Sequence, residues 1–166
     1  MSGAADDKGS LARDLRDAFA LRAMIYHAVD EELSAELGPE RAEAILGRAI
    51  ETRGQAAGRK LFKNIDAGDP RAVADAFLAV SPDQGRLFPK EETSDEAGAV
   101  CIQVKSCPLQ EAWRAAGLAP ERVARLCRIA GRFDNGLFGA AGVAFDAQTW
   151  QPGRAGCCRL RLARRP

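Results

Sequence analysis

Histidine and paired cysteines are scarce in this chain of 166 residues, which has one histidine and no Cys-x-x-Cys pair. Classical zinc sites need closely spaced pairs of such ligands, so the sequence predicts no metal site. It also lacks an apolar run approaching the ~20 residues of a membrane span. The glycine-rich segment Gly136–Gly142 lacks the lysine and the strand-to-helix context of a phosphate loop. No cofactor is therefore expected.

The chain also lacks an excess of charge of either sign. Lysine plus arginine number 24 and aspartate plus glutamate 23, which gives a formal net charge of +1. No global field therefore favours nucleic acid or an anionic membrane as a partner, and a small molecule is the expected ligand. The odd number of cysteines, five, and an N-terminus without an apolar core region predict a cytoplasmic location.

The first half of the sequence has the apolar spacing of helices. Apolar residues recur at helical intervals from Leu11 to Leu37, a second stripe begins after Pro39, and Asp69-Pro70 starts a short third helix. Residues 1–10 are predicted to be a disordered lead, because they offer little apolar surface to bury. Residues 11–166 are predicted to form a single domain.

The second half alternates in the manner of strands. Gly85–Phe88 and Ala99–Lys105 flank an acidic stretch and predict a hairpin with a long exposed tip, and Val143–Thr149 with Cys158–Leu162 predict a second hairpin. Two helices lie between the hairpins, one after Cys107 and one from Pro120 to Ile129. The predicted fold class is α+β, with N-terminal helices packed on a small antiparallel sheet and two further helices inserted between its hairpins.

The most informative segment is Lys105–Leu109, where a strand gives way to a helix. Pro108 is well tolerated at a first helical position, so Cys107 falls at or next to the helix N-cap. Free backbone N–H groups and the positive end of the helix dipole stabilise a thiolate there. Cys107 is therefore the best candidate nucleophile. The alternative is a small residue that caps a helix and takes no part in chemistry.

Three other residues are candidates on weaker grounds. His27 lies at the border of the first helical stripe, with Glu31 one turn later to orient the ring, although a histidine at such a border is more often a half-buried packing residue. Cys127 lies in an apolar stripe that also predicts a core position. Asp134 precedes Asn135-Gly136, a strong turn signal that would by itself explain an aspartate there.

Taken in order, these motifs resemble the L-2-amino-thiazoline-4-carboxylic acid hydrolase family over nearly the whole chain from about Leu11. The segments that carry the resemblance are Ala49-Ile50-x-x-Arg53-Gly54, Ser106-Cys107-Pro108-Leu109, Glu111-Ala112-Trp113, Gly117, Leu126-Cys127, Asp134 and Cys158-x-Leu160-x-Leu162.

The resemblance implies hydrolysis at the C2 carbon of a cyclic isothiourea, which opens a thiazoline ring to a carbamoyl-cysteine product. Such chemistry needs a nucleophile, a proton donor and a cation for a substrate carboxylate. Cys107 is the expected nucleophile, with Asp134 to hold the amidinium and relay protons and His27 as the other titratable group. Arg53 is the expected carboxylate clamp. Cys127 and Trp113 are the remaining expected substrate-binding residues.

The last third of the chain is also similar to small-ligand-binding domains of the vinyl-reductase type. That similarity implies a related α+β fold and a homodimer, and it leaves open a non-catalytic function in ligand binding and dimerisation. The final hairpin of such families carries Gly-Asp before its cysteine. This chain instead reads Gly153-Arg154-Ala155-Gly156-Cys157-Cys158.

Overall fold

A computed structural model describes residues 3–166, which contain five α-helices. They are α1 (Gly3–Leu37), α2 (Pro39–Leu61), α3 (Pro70–Ala79), α4 (Pro108–Ala115) and α5 (Pro120–Gly139). Helix α1 includes residues 3–10, most of the segment expected to be a disordered lead, and Met1 and Ser2 lie outside the described residues. None of these helices combines the length and apolar character needed to cross a membrane.

The strands form one antiparallel sheet of two hairpins with α4 and α5 between them. They are β1 (Lys90–Ser94), β2 (Val100–Val104), β3 (Ala144–Gln148) and β4 (Arg159–Ala163). Their order is β1-β2-β4-β3, so the second hairpin joins the first through β2 and β4. This arrangement confirms the predicted α+β class.

Two local predictions were wrong. Strand β1 lies within the acidic stretch that was predicted to be a hairpin tip. In place of the predicted strand, Gly85 ends a short 3₁₀ helix, Pro82–Gly85, and residues 86–88 form a turn and a bend. Strand β1 is an exposed edge strand held by backbone pairing to β2, so it needs no apolar alternation. Asp134-Asn135-Gly136 is not a turn but lies inside α5.

Asp134-Asn135-Gly136 stays helical because α2 and α5 cross closely at this point. A Cβ atom at Gly136 would lie 2.1 Å from the carbonyl oxygen of Glu51, and one at Gly54 would lie 2.1 Å from that of Phe133. Only glycine allows the two helix backbones to approach this closely. Gly136 therefore allows close helix packing rather than a turn. Because the crossing fixes how α5 lies against α2, it also fixes where Asp134 lies in the fold.

Candidate functional site

A cavity of about 250 Å³ lies between helices α1, α3, α4 and α5 and one face of the sheet. Most of its walls are apolar or aromatic, and its polar side chains are few. Exposed Arg22 and Val80 are part of the lining, so the cavity opens to solvent. The residues that line it include Phe19, Arg22, Tyr26, Phe77, Val80, Ser81, Phe88, Lys90, Val104, Cys107, Leu109, Trp113, Cys127, Ala130, Phe133, Asp134, Cys157, Cys158 and Leu160.

Cys107 occupies the N-cap of α4, which confirms the placement predicted from Pro108. Its backbone is extended, with φ −138° and ψ 125°, and its carbonyl oxygen accepts the first helical hydrogen bond from the Glu111 amide at 2.9 Å. The side chain is half-buried and lines the cavity. The short connection from β2 to α4 thus places the thiol in the cavity wall.

The surroundings of Cys107 favour its thiolate. A hydrogen bond from the thiol of Cys157 is the largest influence and lowers the pKa of Cys107, while burial opposes it. The amides of Gln110 and Leu109 lower this pKa further, although the side chain makes no formal capping hydrogen bond. Charge at Asp134 acts in the opposite direction and raises the pKa. The net result is a pKa below the usual value of a thiol.

Asp134 lines the same cavity from α5, on the helix face that also carries Cys127 and Ala130. Burial raises the pKa of its carboxyl to about 7, and the charge of Arg22 opposes this rise. A carboxyl with such a pKa is present in both protonation states near neutral pH, as a general acid or base requires. The helical hairpin of α4 and α5 brings it to the cavity that holds Cys107, 27 positions earlier in the chain.

Cys127 and Trp113 also face this cavity. Burial raises the pKa of Cys127, and the neighbouring thiols of Cys158 and Cys107 raise it further. Its thiol therefore remains protonated and acts as part of the wall. The Trp113 indole is 1% exposed, and its Nε1 donates a hydrogen bond to the carbonyl oxygen of Ala23 at 2.8 Å. This bond ties α4 to α1 and fixes the ring that forms one wall.

His27 and Arg53 lie outside the cavity lining. His27 is half-buried on α1, and its Nε2 lies 3.4 Å from a carboxylate oxygen of Glu31, the partner expected from the spacing. Arg53 is exposed on α2, next to the glycine that contacts α5. A side chain on that solvent-facing side of α2 does not reach into the space beside Cys107.

Sequence reasoning missed several residues of the cavity. Phe19, Arg22 and Tyr26 follow helical spacing on α1, and this stripe was the available signal. If the alternation of the last strand is extended back to Cys157, it predicts that this side chain faces the arginine side, and that prediction is wrong. Strand β4 begins only at Arg159, and Cys157 is 1% exposed and lines the cavity.

The arrangement combines a thiolate-prone cysteine and a carboxyl that titrates near pH 7 in one mostly apolar cavity. Arg22 and Lys90 add positive charge to the lining. These groups are the parts that covalent hydrolysis of a small anionic substrate requires. Within residues 3–166, no group of three or more metal-ligating side chains could hold a metal ion.

Comparison with known proteins gives a family and a fold. The family model described as L-2-amino-thiazoline-4-carboxylic acid hydrolase matches residues 18–162. Among solved structures, the chain is similar to a trafficking protein particle complex subunit 3 from Naegleria fowleri, covalently bound to palmitic acid. The two share 15% identity and a TM-score of 0.56 over 90% of this chain and 98% of that one, a likeness of fold. No curated protein matches.

Proposed function

Because this chain belongs to the L-2-amino-thiazoline-4-carboxylic acid hydrolase family, we propose that it is a hydrolase that opens a small thiazoline or cyclic amidine. The observation that carries the proposal is that Cys107 and Asp134 line one mostly apolar cavity. Cys107 is the nucleophile and Asp134 the acid–base group. No metal or organic cofactor takes part in this chemistry.

The reaction proceeds in two steps. The Cys107 thiolate adds to the C2 carbon, the C2–S bond of the ring breaks, and the leaving sulfur takes a proton from the Asp134 carboxyl. Water then adds to the same carbon and gives its proton to the Asp134 carboxylate. The bond between C2 and Cys107 breaks to regenerate the thiolate, and the released isourea tautomerises to the carbamoyl product.

The charges in the lining support an anionic substrate. The Arg22 guanidinium stacks over the Phe19 ring at 4.4 Å and belongs to an exposed residue, so it lies where the cavity meets solvent. Lys90 lines the cavity from β1 and donates a hydrogen bond to the Ser81 hydroxyl. A carboxylate on the substrate would meet Arg22 while the ring enters the apolar part of the cavity. Arg22 therefore takes the clamping role first expected of Arg53.

Replacing Arg22 with alanine is expected to raise KM by ~10–100-fold with a smaller change in kcat, because a charged hydrogen bond contributes roughly 1.5–3 kcal/mol. Steady-state kinetics measures this. Arg53→Ala is the matched control, because Arg53 is exposed and outside the cavity lining. A larger effect of Arg53→Ala than of Arg22→Ala would contradict the assignment.

The pH dependence of kcat/KM is expected to be bell-shaped. As the pH rises, ionisation of Cys107 supplies the nucleophile and raises kcat/KM. Ionisation of Asp134 removes the proton donor and lowers kcat/KM. One limb should lie near pH 7, the pKa of Asp134. Asp134→Asn should abolish that limb and lower the rate by ~10²–10⁴-fold.

The exposed Asp146 on β3 provides the control for this substitution. Asp146→Asn should leave the profile unchanged. A limb near pH 7 that survives in Asp134→Asn would show that another group titrates there.

The direct test of the proposed function is turnover of 2-amino-thiazoline-4-carboxylate by the purified chain. Ring opening releases a thiol, which a colorimetric thiol reagent detects, and mass spectrometry identifies the carbamoyl product. Turnover that disappears after prior alkylation of Cys107 supports the proposal. The proposal fails if a folded, fully reduced chain turns over neither this substrate nor unsubstituted cyclic amidines.

A second candidate function is ligand binding without turnover. The aromatic and aliphatic walls of the cavity favour it, as does the likeness of fold to a protein covalently bound to palmitic acid. Under this alternative, Cys107 would carry an acyl group rather than attack a ring. Incubation with palmitoyl-coenzyme A and intact-mass measurement separates the two functions, since a stable adduct on Cys107 without ring opening would favour the carrier function.

A further inference from the structure

Four cysteines line the wall of the cavity, and the proposed hydrolysis uses only one of them, Cys107, as a nucleophile. Cys107, Cys157 and Cys158 all line the cavity, and the Sγ atoms of Cys157 and Cys158 lie 3.5 Å apart. Cys157 is 1% exposed. The proposed hydrolysis gives no role to this buried Cys157 thiol, which contacts another thiol.

Backbone hydrogen bonds hold these thiols together. The Cys157 amide donates to the Val104 carbonyl oxygen at 3.0 Å, and the Val104 amide donates to the Cys158 carbonyl oxygen at 2.8 Å. Cys107 lies three residues after Val104, so these hydrogen bonds hold the segment of Cys107 beside the segment of Cys157. From these paired segments, the Cys107 and Cys157 side chains both line the cavity.

We propose that Cys107 and Cys157 form a dithiol that reacts with hydroperoxides and closes to a reversible disulfide. The Cys107 thiolate attacks the peroxide oxygen, the O–O bond breaks, and Cys107 becomes a sulfenic acid while hydroxide or an alkoxide leaves. The Cys157 sulfur then attacks the Cys107 sulfur, the S–O bond breaks, and water leaves with the Cys157 proton. The peroxide is reduced by two electrons and the two thiols are oxidised.

Geometry selects Cys157 as the partner. The antiparallel pairing of Gln103 with Arg159 continues through Val104 and Cys158, so Cys157 is the one of the two adjacent cysteines that lies further along the ladder toward Cys107. Cys157 and Cys158 are adjacent in sequence, and their Cα atoms lie ~3.8 Å apart, below the ~4.4–6.8 Å usual for disulfides. The opening beside Arg22 and Val80 admits a small neutral oxidant.

The disulfide would remove the thiolate that the hydrolysis needs, so oxidation would switch the enzyme off until a thiol reductant restores it. This consequence rests on the proposed function. The dithiol chemistry itself does not, because it is measured on the thiols without any substrate.

The test treats the reduced, full-length chain with stoichiometric hydrogen peroxide and counts free thiols by alkylation and intact mass. The count is expected to fall from five to three and to return to five with dithiothreitol. Non-reducing peptide mapping should place the bond between Cys107 and Cys157. In Cys157→Ser, a sulfenic acid should instead remain on Cys107, where dimedone traps it.

Two variants serve as controls. Cys158→Ser should still form the disulfide, and so should Cys101→Ser, which alters a buried cysteine of β2 outside the cavity. The proposal is overturned by a bond between Cys157 and Cys158, by a bond from Cys107 to Cys127 or Cys158 in the unsubstituted chain, or by oxidation of Cys107 that Cys157→Ser does not change. Cys157→Ala, checked by circular dichroism, repeats the test if the serine variant fails to fold.

Discussion

Replacing Cys107 with alanine is expected to lower kcat/KM for thiazoline opening by at least ~10⁴-fold, because in the proposed mechanism its sulfur makes the first bond to C2. The thiol is half-buried at a helix N-cap and lines the cavity. The substitution removes one sulfur atom from the wall of a cavity that already opens to solvent, so it creates no new buried void and the melting temperature should change little. Steady-state kinetics and a thermal melt on the same sample separate loss of chemistry from loss of structure.

Cys101→Ala is the matched control, since Cys101 is 1% exposed on β2 and does not line the cavity. It should keep near-normal kcat/KM. Alkylation mapping provides an independent check, because Cys107 should react before Cys127, whose pKa burial raises. Residual activity of Cys107→Ala within tenfold of the unsubstituted chain would exclude a covalent mechanism and leave Asp134 to activate water directly.

Replacing Gly136 with alanine is expected to lower the free energy of unfolding by about 3 kcal/mol, a large effect for one methyl group. The added Cβ would lie 2.1 Å from the Glu51 carbonyl oxygen and 2.8 Å from the Gln55 amide nitrogen, so α2 and α5 would have to separate. Backbone atoms of a packed helix cannot rotate aside as a side chain can. Denaturant unfolding followed by circular dichroism measures the loss.

Gly139 supplies the control on the same helix. A Cβ there meets no atom within 4 Å, so Gly139→Ala should be neutral or stabilising by up to ~1 kcal/mol through helix propensity. Equal effects of the two substitutions would show that the crossing relaxes freely. Because Asp134 lies on α5 near this crossing, Gly136→Ala should also weaken activity in whatever fraction remains folded.

Local signals in the sequence were sufficient for much of the fold. Pro108 after a strand predicted the helix start that places Cys107 at an N-cap. Asp69-Pro70 predicted the start of α3, where the Asp69 carboxylate accepts hydrogen bonds from the Arg71 and Ala72 amides. The alternation of apolar and polar residues predicted the second hairpin, because it depends on residues that are neighbours in the chain. The order of short motifs along the chain was sufficient to indicate the family.

Contacts between distant segments decided the rest. Asp134-Asn135-Gly136 has the composition of a turn, but the close contact of α5 with the α2 backbone keeps it helical and carries Asp134 to the cavity.

Arg53 matches a motif yet points to solvent, whereas Arg22 and Cys157 were not among the predicted site residues and line the cavity. Sequence periodicity gives the faces of each element, but which faces meet depends on how the elements pack. The sequence by itself therefore determined the thiol at the helix start, and only the tertiary structure decided which acid, cation and second thiol surround it.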